Sequence, residues 1–300
     1  MKKNPLISPH IKEKKTALTI TIFVVLVIYF ISLLIPIIWA MYSAFNDKDA
    51  YRMFYTFGKA FPTKLTFDNF VTAFTKYKIT ARTTGVRYNF FELIGHSVIY
   101  TLGCAFFFTL TPCLVAYCAA RFKFRFSKVI YAFVIITMSL PIVGAMPSEI
   151  RMLKAIGLFD TFFGMFVLRM NFLSINFLIF YAQFQMIPMP YSEAAKVDGA
   201  SNFRIMTTVV FPQAVPTMTT IFLLSFITYW NDYQIPRIYL PSYPTLADGL
   251  FSFATTGESA VNYDPVKLAG FIGLTLPIVL VFALLNRYLR LNVATGGIKG

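Results

Sequence analysis

Six long apolar runs, nearly free of charged residues, constrain the fold of this 300-residue chain more than any other feature. Each is close to the roughly 20 residues that an α-helix needs to cross a bilayer. The runs lack the alternation that a membrane barrel requires, and backbone groups in lipid must bond within their own segment. The sequence therefore predicts an all-α membrane protein with about six transmembrane helices, one for each run.

The runs also set the predicted boundaries along the chain. The spans cover roughly Leu18–Tyr42, Ser97–Ala120, Val129–Pro147, Phe162–Met186, Val215–Tyr233 and Leu268–Leu285. We expect an N-terminal tail (1–16), a first transmembrane helix (17–45), an extracytoplasmic loop (46–93), a core transmembrane domain (94–288) with a polar loop at 188–212, and a C-terminal tail (289–300). The uncharged stretch from Thr16 to Phe45 is too long for a cleaved signal peptide, so we predict that it is retained.

The net charge of +14 comes from basic residues that lie between the apolar runs. There they set orientation and meet anionic lipid headgroups, which disfavours a nucleic-acid binder. The N-terminal tail and the 121–128 loop are both strongly basic, and two spans separate them. We therefore predict that both termini and the 188–212 loop are cytoplasmic. The 46–93 loop is also basic, but charges in long loops influence orientation less.

Residues for catalysis are not apparent. The chain has no phosphate-binding loop of the Gly-x-x-x-x-Gly-Lys-Ser/Thr type and no paired carboxylates at a plausible site. The cysteines and histidines lack metal-ligand spacing and lie at Cys104, Cys113, Cys118, His10 and His96. We predict no catalytic residue, no metal and no cofactor, and these absences disfavour a membrane-embedded enzyme such as a lipid transferase.

The loop between the fourth and fifth spans has the most specific pattern. Residues 193–201 read Glu-Ala-Ala-Lys-Val-Asp-Gly-Ala-Ser. Glu-Ala-Ala-Lys favours a helix, and Asp198-Gly199 ends it because glycine adopts backbone angles that other residues resist. The residues predict a short helix with Glu193 near its start, a tight turn, and a second helical stretch that leads into the fifth span. Physics alone also allows an ordinary interfacial helix.

This loop resembles the EAA loop of permeases in binding-protein-dependent ATP-binding-cassette importers. The residues that match are Glu193, Ala194, Ala195, Gly199, Val209, Phe211 and Pro212, with valine and phenylalanine in place of the commoner isoleucine and leucine. The resemblance implies a coupling helix that docks on an ATPase subunit. It implies that the coupling positions are Glu193, Ala194, Ala195, Asp198, Gly199 and Pro212.

Further motifs are similar to one branch of that family, the second permease of maltose-type oligosaccharide importers. They are Asn69 within 65–70, Ala-Tyr-Cys-Ala-Ala-Arg at 116–121, Gly-Leu-Phe-Asp-Thr at 157–161, Trp-Asn-Asp-Tyr at 230–233 with Pro236, and the tail at 294–300. Ser-Glu-Ile-Arg at 148–151 departs from the uncharged, proline-containing stretch expected there.

The resemblance implies a type I importer permease fold and a multi-pass subunit of the bacterial plasma membrane that carries a sugar or oligosaccharide. The implied partners are a second permease, two ATPase subunits that bind the ATP, and an extracytoplasmic solute-binding protein. Polar residues within spans are candidates for the translocation path: Arg169, Asn171, Asn176, Gln183, Gln185, Asn231 and Asp232. A permease for a non-sugar solute and a proton-coupled secondary transporter remain alternatives.

Overall fold

The computed structural model describes residues 17–58, 64–76, 78–122, 125–140, 144–256 and 263–296. Most of these residues are helical, and two short strands form an antiparallel hairpin. The elements are α1 (Ala17–Ala44), α2 (Lys48–Phe57), α3 (Asp68–Thr75), β1 (Lys78–Thr80), β2 (Arg87–Asn89), α4 (Phe90–Arg121), α5 (Ser127–Ser139), α6 (Met146–Ala155), α7 (Phe162–Arg169), α8 (Ile175–Met186), α9 (Met189–Val197), α10 (Asn202–Ile205), a π-helical segment (Met206–Val210), α11 (Phe211–Asn231), α12 (Gln234–Tyr239), α13 (Leu246–Thr256) and α14 (Asp264–Gly296).

Four helices in the described part of the chain are long and apolar enough to cross a membrane. They are Leu18–Ala44, Phe90–Arg121, Asn202–Asn231 and Asp264–Leu284, at the predicted first, second, fifth and sixth spans. At the predicted third span, α5 is a shorter apolar helix. The helical fold is confirmed, and the count of six spans stays a prediction.

The fourth apolar run is broken into α7 and α8, so the prediction of a single helix over 162–186 is wrong. Between them, the side-chain oxygen of Asn171 accepts a hydrogen bond from the Leu173 amide at 2.8 Å, and the Ser174 amide donates to the Phe172 carbonyl at 2.8 Å. An asparagine that bonds to nearby backbone competes with the helix ladder, which explains the break.

Helix α4 lies at the centre of the bundle. It packs against α7, α8 and α11, and α11 packs in turn against α14. Two apolar clusters form the core, one around Trp230 and Tyr100 and the other around Tyr117 and Phe180. The Trp230 indole donates to the Leu274 carbonyl at 2.9 Å, which ties α11 to α14. In contrast, α1 packs mainly against α14 and exposes most of its large apolar side chains.

The described residues of the 46–93 loop lie at the end of the bundle where α4 begins. They include α2, α3 and the β1–β2 hairpin. Asn69, which lies in one of the motifs noted above, is buried and donates through its amide to the carbonyls of Ala44 (2.8 Å) and Asn46 (2.7 Å). Carbonyls at a helix C-terminus lack helical partners, so Asn69 both satisfies the end of α1 and fixes α3 to it.

Candidate functional site

The 188–212 segment forms a helix, a turn and a second helix, as predicted from its residues. Helix α9 begins at Met189 with Pro190 in its first turn, where the missing amide is not needed. It ends at Val197 with Asp198 as its C-cap, and Gly199 follows with a φ of +78°. The expectation that Glu193 lies near the helix start is wrong, because the helix begins four residues earlier and places Glu193 in its middle.

The turn after α9 is closed by local hydrogen bonds. The Ala200 amide donates to the Ala195 carbonyl at 2.9 Å, and the Ser201 hydroxyl oxygen accepts from the Arg204 amide at 3.3 Å. Ser201 is thus the N-cap of α10, a position at which serine is common. The turn thus holds α9 and α10 at a defined angle.

A π-helical segment joins α10 to α11 immediately before Pro212. The Phe211 amide donates to the Met206 carbonyl, five residues back, rather than four. A proline within a helix lacks an amide and clashes with the carbonyl four residues before it. The wider π turn relieves this clash and lets the polypeptide continue from α10 into α11 without a break. π turns of this kind are frequent at functional sites.

Helix α9 is exposed along its length. None of its nine residues, all of which the structure describes, is buried. Glu193 and Ala194 are exposed, whereas Ala195 is half-buried and packs against the core. Apolar side chains near both ends face outward, with Tyr191 59% and Val197 89% exposed. An exposed helix that carries apolar side chains can dock in a groove of another protein.

Arg121, at the C-terminus of α4, hydrogen-bonds to residues at the N-terminal end of α9 and just before it. Its guanidinium donates to the Ile187 carbonyl (2.6 Å), the Phe184 carbonyl (3.4 Å) and the Ser192 hydroxyl (2.6 Å). One side chain therefore links the central helix, the end of α8 and the first turns of α9. These bonds join the start of α9 to the C-terminus of α4.

A second polar group lies at the opposite end of the bundle, where α4 begins and α11 ends. The Arg169 guanidinium lies over the Tyr229 ring at 5.0 Å from its centroid. Tyr229 packs edge-on against Tyr100, and the Tyr100 hydroxyl donates to the Asp232 carboxylate at 3.2 Å. Two of the predicted path residues, Arg169 and Asp232, are thus brought together through two tyrosines. The Arg169 Nε is buried without a hydrogen-bond partner among the described residues.

The other predicted path residues are dispersed. Asn171 and Asn231 are exposed, with Asn231 donating to the Ile227 carbonyl at 2.8 Å. Gln183 lies nearer α9 and donates to the Gln213 carbonyl at 3.0 Å. Asn176 is buried in α8 and faces the core. Gln185 is exposed. These five residues therefore do not form one site with Arg169 and Asp232.

Sequence reasoning missed the residues that join these groups. Tyr100 and Tyr229 are two of the 17 tyrosines and carry no distinguishing pattern. Arg121 is one of several basic residues at 121–128, and a role in setting membrane orientation accounts equally well for all of them. The one sequence signal for Arg121 was its position at the end of the Ala-Tyr-Cys-Ala-Ala-Arg motif.

Comparison with known proteins places this arrangement in context. Residues 112–294 match the sequence model of the family described as the binding-protein-dependent transport system inner membrane component. The melibiose/raffinose/stachyose import permease protein MelC of Bacillus subtilis is 28% identical over 249 residues, which cover 80% of this chain and 83% of MelC. The diacetylchitobiose uptake system permease protein NgcG of Streptomyces coelicolor is 23% identical over 274 residues, with coverage of 90% and 86%.

The fold also matches a solved structure. A chain of a bacterial ABC transporter involved in the import of the acidic polysaccharide alginate superposes with a TM-score of 0.75 and 21% identity. The match covers 94% of this chain and 99% of the other. The similarity therefore extends to the β1–β2 hairpin and the first helix, beyond the segment that the family model covers.

Proposed function

This chain belongs to the family of binding-protein-dependent transport system inner membrane components, and from that premise we propose that it is one of two permease subunits of an ATP-driven importer for a sugar or oligosaccharide. The chain forms half of the translocation path. A second, unlike permease forms the other half, two separate ATPase chains bind and hydrolyse ATP, and an extracytoplasmic binding protein delivers the solute. A homodimer of this chain is the alternative assembly.

Helix α9 is the observation that carries the proposal. It is a short helix outside the apolar bundle, with no buried side chain among its nine described residues. Its exposed face combines Glu193 and Ala194 with the apolar Tyr191 and Val197. We assign this face to the ATPase subunit: small alanine permits close approach, and the apolar residues supply buried area on docking.

The bonds of Arg121 support a role for α9 as a lever. Closure of the ATPase pair would move α9, and Arg121 would carry the movement to α4 through Ile187 and Ser192. Because α4 runs to the far end of the bundle, the displacement reaches Tyr100 and the Arg169 group. ATP shifts the equilibrium between inward and outward access only to the extent that it binds one state better than the other.

The proposed path follows polar residues that the bundle leaves accessible. Asn171, Asn231 and Asp232 lie at the end opposite α9, and Gln183 lies toward α9. Arg169 belongs to the same path through its position beside Tyr229. Polar side chains at membrane depth are costly unless they face protein or water, so a second permease is needed to shield them from lipid. The side chain of Asn176 is left out of this path because it is buried.

The sugar specificity rests on relatives whose names specify melibiose, raffinose, stachyose and diacetylchitobiose import. We place both termini and α9 in the cytoplasm, so the 46–93 segment and the α12–α13 region face outward. The basic N-terminal tail and 121–128 loop support this orientation.

The assembly is tested by purification of the tagged full-length chain from its native host in mild detergent, followed by native mass spectrometry. We expect one copy of this chain, one of a second permease and two of an ATPase. A matched variant, Val197→Asp, places a charge on the docking face without touching the core, and we expect it to release the ATPase while retaining the second permease. Isolation of the chain without any ATPase under conditions that retain other membrane complexes would contradict the proposal.

A further inference from the structure

A cavity of about 300 Å³ lies at the end of the bundle opposite α9, between β1 and the segment that follows α12. One wall is formed by residues 78–82, and the other by residues of α12, α13 and the segment between them. The Arg82 amide donates to the Pro241 carbonyl at 3.0 Å, which joins the two walls. The volume is at the lower end of small-molecule sites, roughly 300–1,000 Å³.

A buried carboxylate organises the cations of this cavity. The Asp248 side chain has no exposed surface. Arg82 contacts both of its oxygens, at 2.8 and 3.1 Å, and Arg237 shares one of them at 3.0 Å. Both guanidinium side chains are about a third exposed, at 35% and 37%. Asp248 can therefore be fully paired by Arg82 while Arg237 retains charge that is available to the cavity.

Arg237 is held in place from three directions. Besides Asp248, it donates to the Ser252 hydroxyl at 3.0 Å. Its guanidinium also lies over the Phe251 ring, 5.1 Å from the centroid, and Phe251 stacks on Tyr233 at 4.2 Å. A cation that is fixed before its ligand arrives loses less conformational entropy on binding.

The charge balance of the cavity is positive. The described residues that line it include three cations, Lys78, Arg82 and Arg237, and one carboxylate, Asp248. Thr80 and Ser252 add hydroxyls, and Phe253 adds an aromatic ring. A planar guanidinium can bind both oxygens of a carboxylate at once. Hydroxyls can hydrogen-bond to the polar edge of a sugar, and an aromatic ring can pack on its apolar face.

We propose that this cavity binds a sugar ring that carries a carboxylate, a hexuronate, with Arg237 and Lys78 as its cationic partners. The assignment gives the substrate class of the importer proposed above and rests on that proposal only for the side of the membrane that the cavity faces. The carboxylate would pair with Arg237, and the ring would lie toward Phe253 and the hydroxyls. The importer thus accepts an acidic saccharide at its outer mouth.

The matched probes are D-glucuronate and D-glucose, which differ only in the carboxylate at C6. Binding is measured by saturation-transfer NMR and titration on the purified full-length chain, in whichever assembly it is isolated. We expect glucuronate to bind at least about tenfold more tightly than glucose, the ratio that one charge-assisted hydrogen bond supplies. Added salt should weaken the binding of glucuronate and leave that of glucose unchanged.

The variants separate this cavity from general surface charge. Arg237→Gln leaves Asp248 paired with Arg82 and should weaken glucuronate binding about tenfold. Lys78→Gln removes an exposed cation that lines the cavity and should weaken it by a smaller factor, even if Arg237→Gln fails to fold. Lys76→Gln makes the same charge change two residues away, outside the cavity, and should have no effect.

Three outcomes overturn the assignment: equal affinity for the two sugars, glucuronate binding that survives both cavity variants, or equal loss with Lys76→Gln. If glucuronate does not bind and Arg237→Gln instead weakens docking of the binding protein, the cavity recognises an acidic side chain of that protein and the hexuronate assignment is wrong. Because binding is measured without ATP, failure of the importer proposal alone leaves the selectivity for glucuronate intact.

Discussion

Gly199 has a φ of +78°, and apart from Gly199 and its two chain neighbours no described residue has a heavy atom within 4 Å of the position that a Cβ would occupy. Its requirement is therefore one of backbone conformation and not of space. The Asp-Gly pair that ends the helix is visible in the sequence, which is why this turn could be predicted. Arg121 could not be assigned in the same way, because its acceptors lie at Phe184, Ile187 and Ser192, more than 60 residues further along the chain. The pairing of Arg82 with Asp248, 166 residues apart, was missed for the same reason.

Substitution of Gly199 by valine should uncouple ATP hydrolysis from transport. A β-branched residue at positive φ costs about 1–2 kcal/mol and changes the angle between α9 and α10. Asparagine tolerates the left-handed conformation, so Gly199→Asn is the matched control and should retain most of the activity. The measurement is solute-stimulated ATP hydrolysis by the assembled complex. Normal stimulation and uptake in Gly199→Val would show that this turn does not control coupling.

Replacement of Arg121 by glutamine should both destabilise the chain and weaken coupling. It removes three hydrogen bonds and leaves carbonyls at the end of α8 without a donor, at a cost of about 1–3 kcal/mol. Arg125→Gln makes the same charge change at an exposed position of the same basic loop. We expect a lower melting temperature and lower stimulated hydrolysis for Arg121→Gln only. Equal effects of the two variants would mean that charge alone, and not the contacts with α9, is responsible.

At the scale of elements, a continuous apolar run corresponds to one helix in the structure. A run is divided into two helices where a polar side chain hydrogen-bonds to nearby backbone in place of the helical bonds. Helices α4, α11 and α14 follow runs whose length and composition specify a helix. The fourth run is also mostly apolar but contains Asn171, which bonds to the Leu173 amide between α7 and α8. Composition averaged over a window cannot detect one such bond. The link between α6 and α12 was also unpredictable, since it joins Glu149 to Tyr239, 90 residues apart.

Tyr239→Phe should lower the free energy of unfolding by about 1 kcal/mol, because it removes the 2.6 Å hydrogen bond from the phenol to Glu149. Burial, and then the Glu149 carboxylate, raise the pKa of Tyr239 above its ordinary value of 10.0. A raised folded-state pKa gives a contribution that is fully present below the unfolded pKa and is lost as the pH rises through the folded one. Chemical unfolding should thus show a constant difference between the two proteins over about pH 6–9. A difference that disappears within this range would contradict the role of the neutral phenol.

At the scale of the whole molecule, α4 joins the two ends of the bundle to which we assign function. One end carries α9 and the Arg121 contacts, and the other carries the Arg169 group and the cationic cavity. The sequence predicted the first end through a local motif. The second end depends on contacts between segments far apart in the chain, such as Arg82 with Asp248, and these appear only in the folded structure.

The orientation of these two ends can be tested with single cysteines and an impermeant thiol reagent in intact cells. Arg125→Cys and Ser201→Cys mark the α9 end, and Thr83→Cys marks the opposite end; all three positions are exposed. The exposed native Cys118 is replaced by alanine, while Cys104 and Cys113 are buried. We expect only Thr83→Cys to react from outside, with the other two reacting after permeabilisation. The opposite pattern would show that α9 faces outward and cannot meet an ATPase.

Solute uptake by proteoliposomes tests the central claim most directly, namely that this chain transports as a subunit driven by a separate ATPase. The purified complex is reconstituted with the binding protein and labelled oligosaccharide outside, and ATP or a non-hydrolysable analogue inside. We expect accumulation against the gradient with ATP alone, its loss in the Gly199→Val complex, and its retention in the Gly199→Asn complex. Accumulation by this chain without any ATPase, driven by an imposed proton gradient, would contradict the claim and identify a secondary transporter instead.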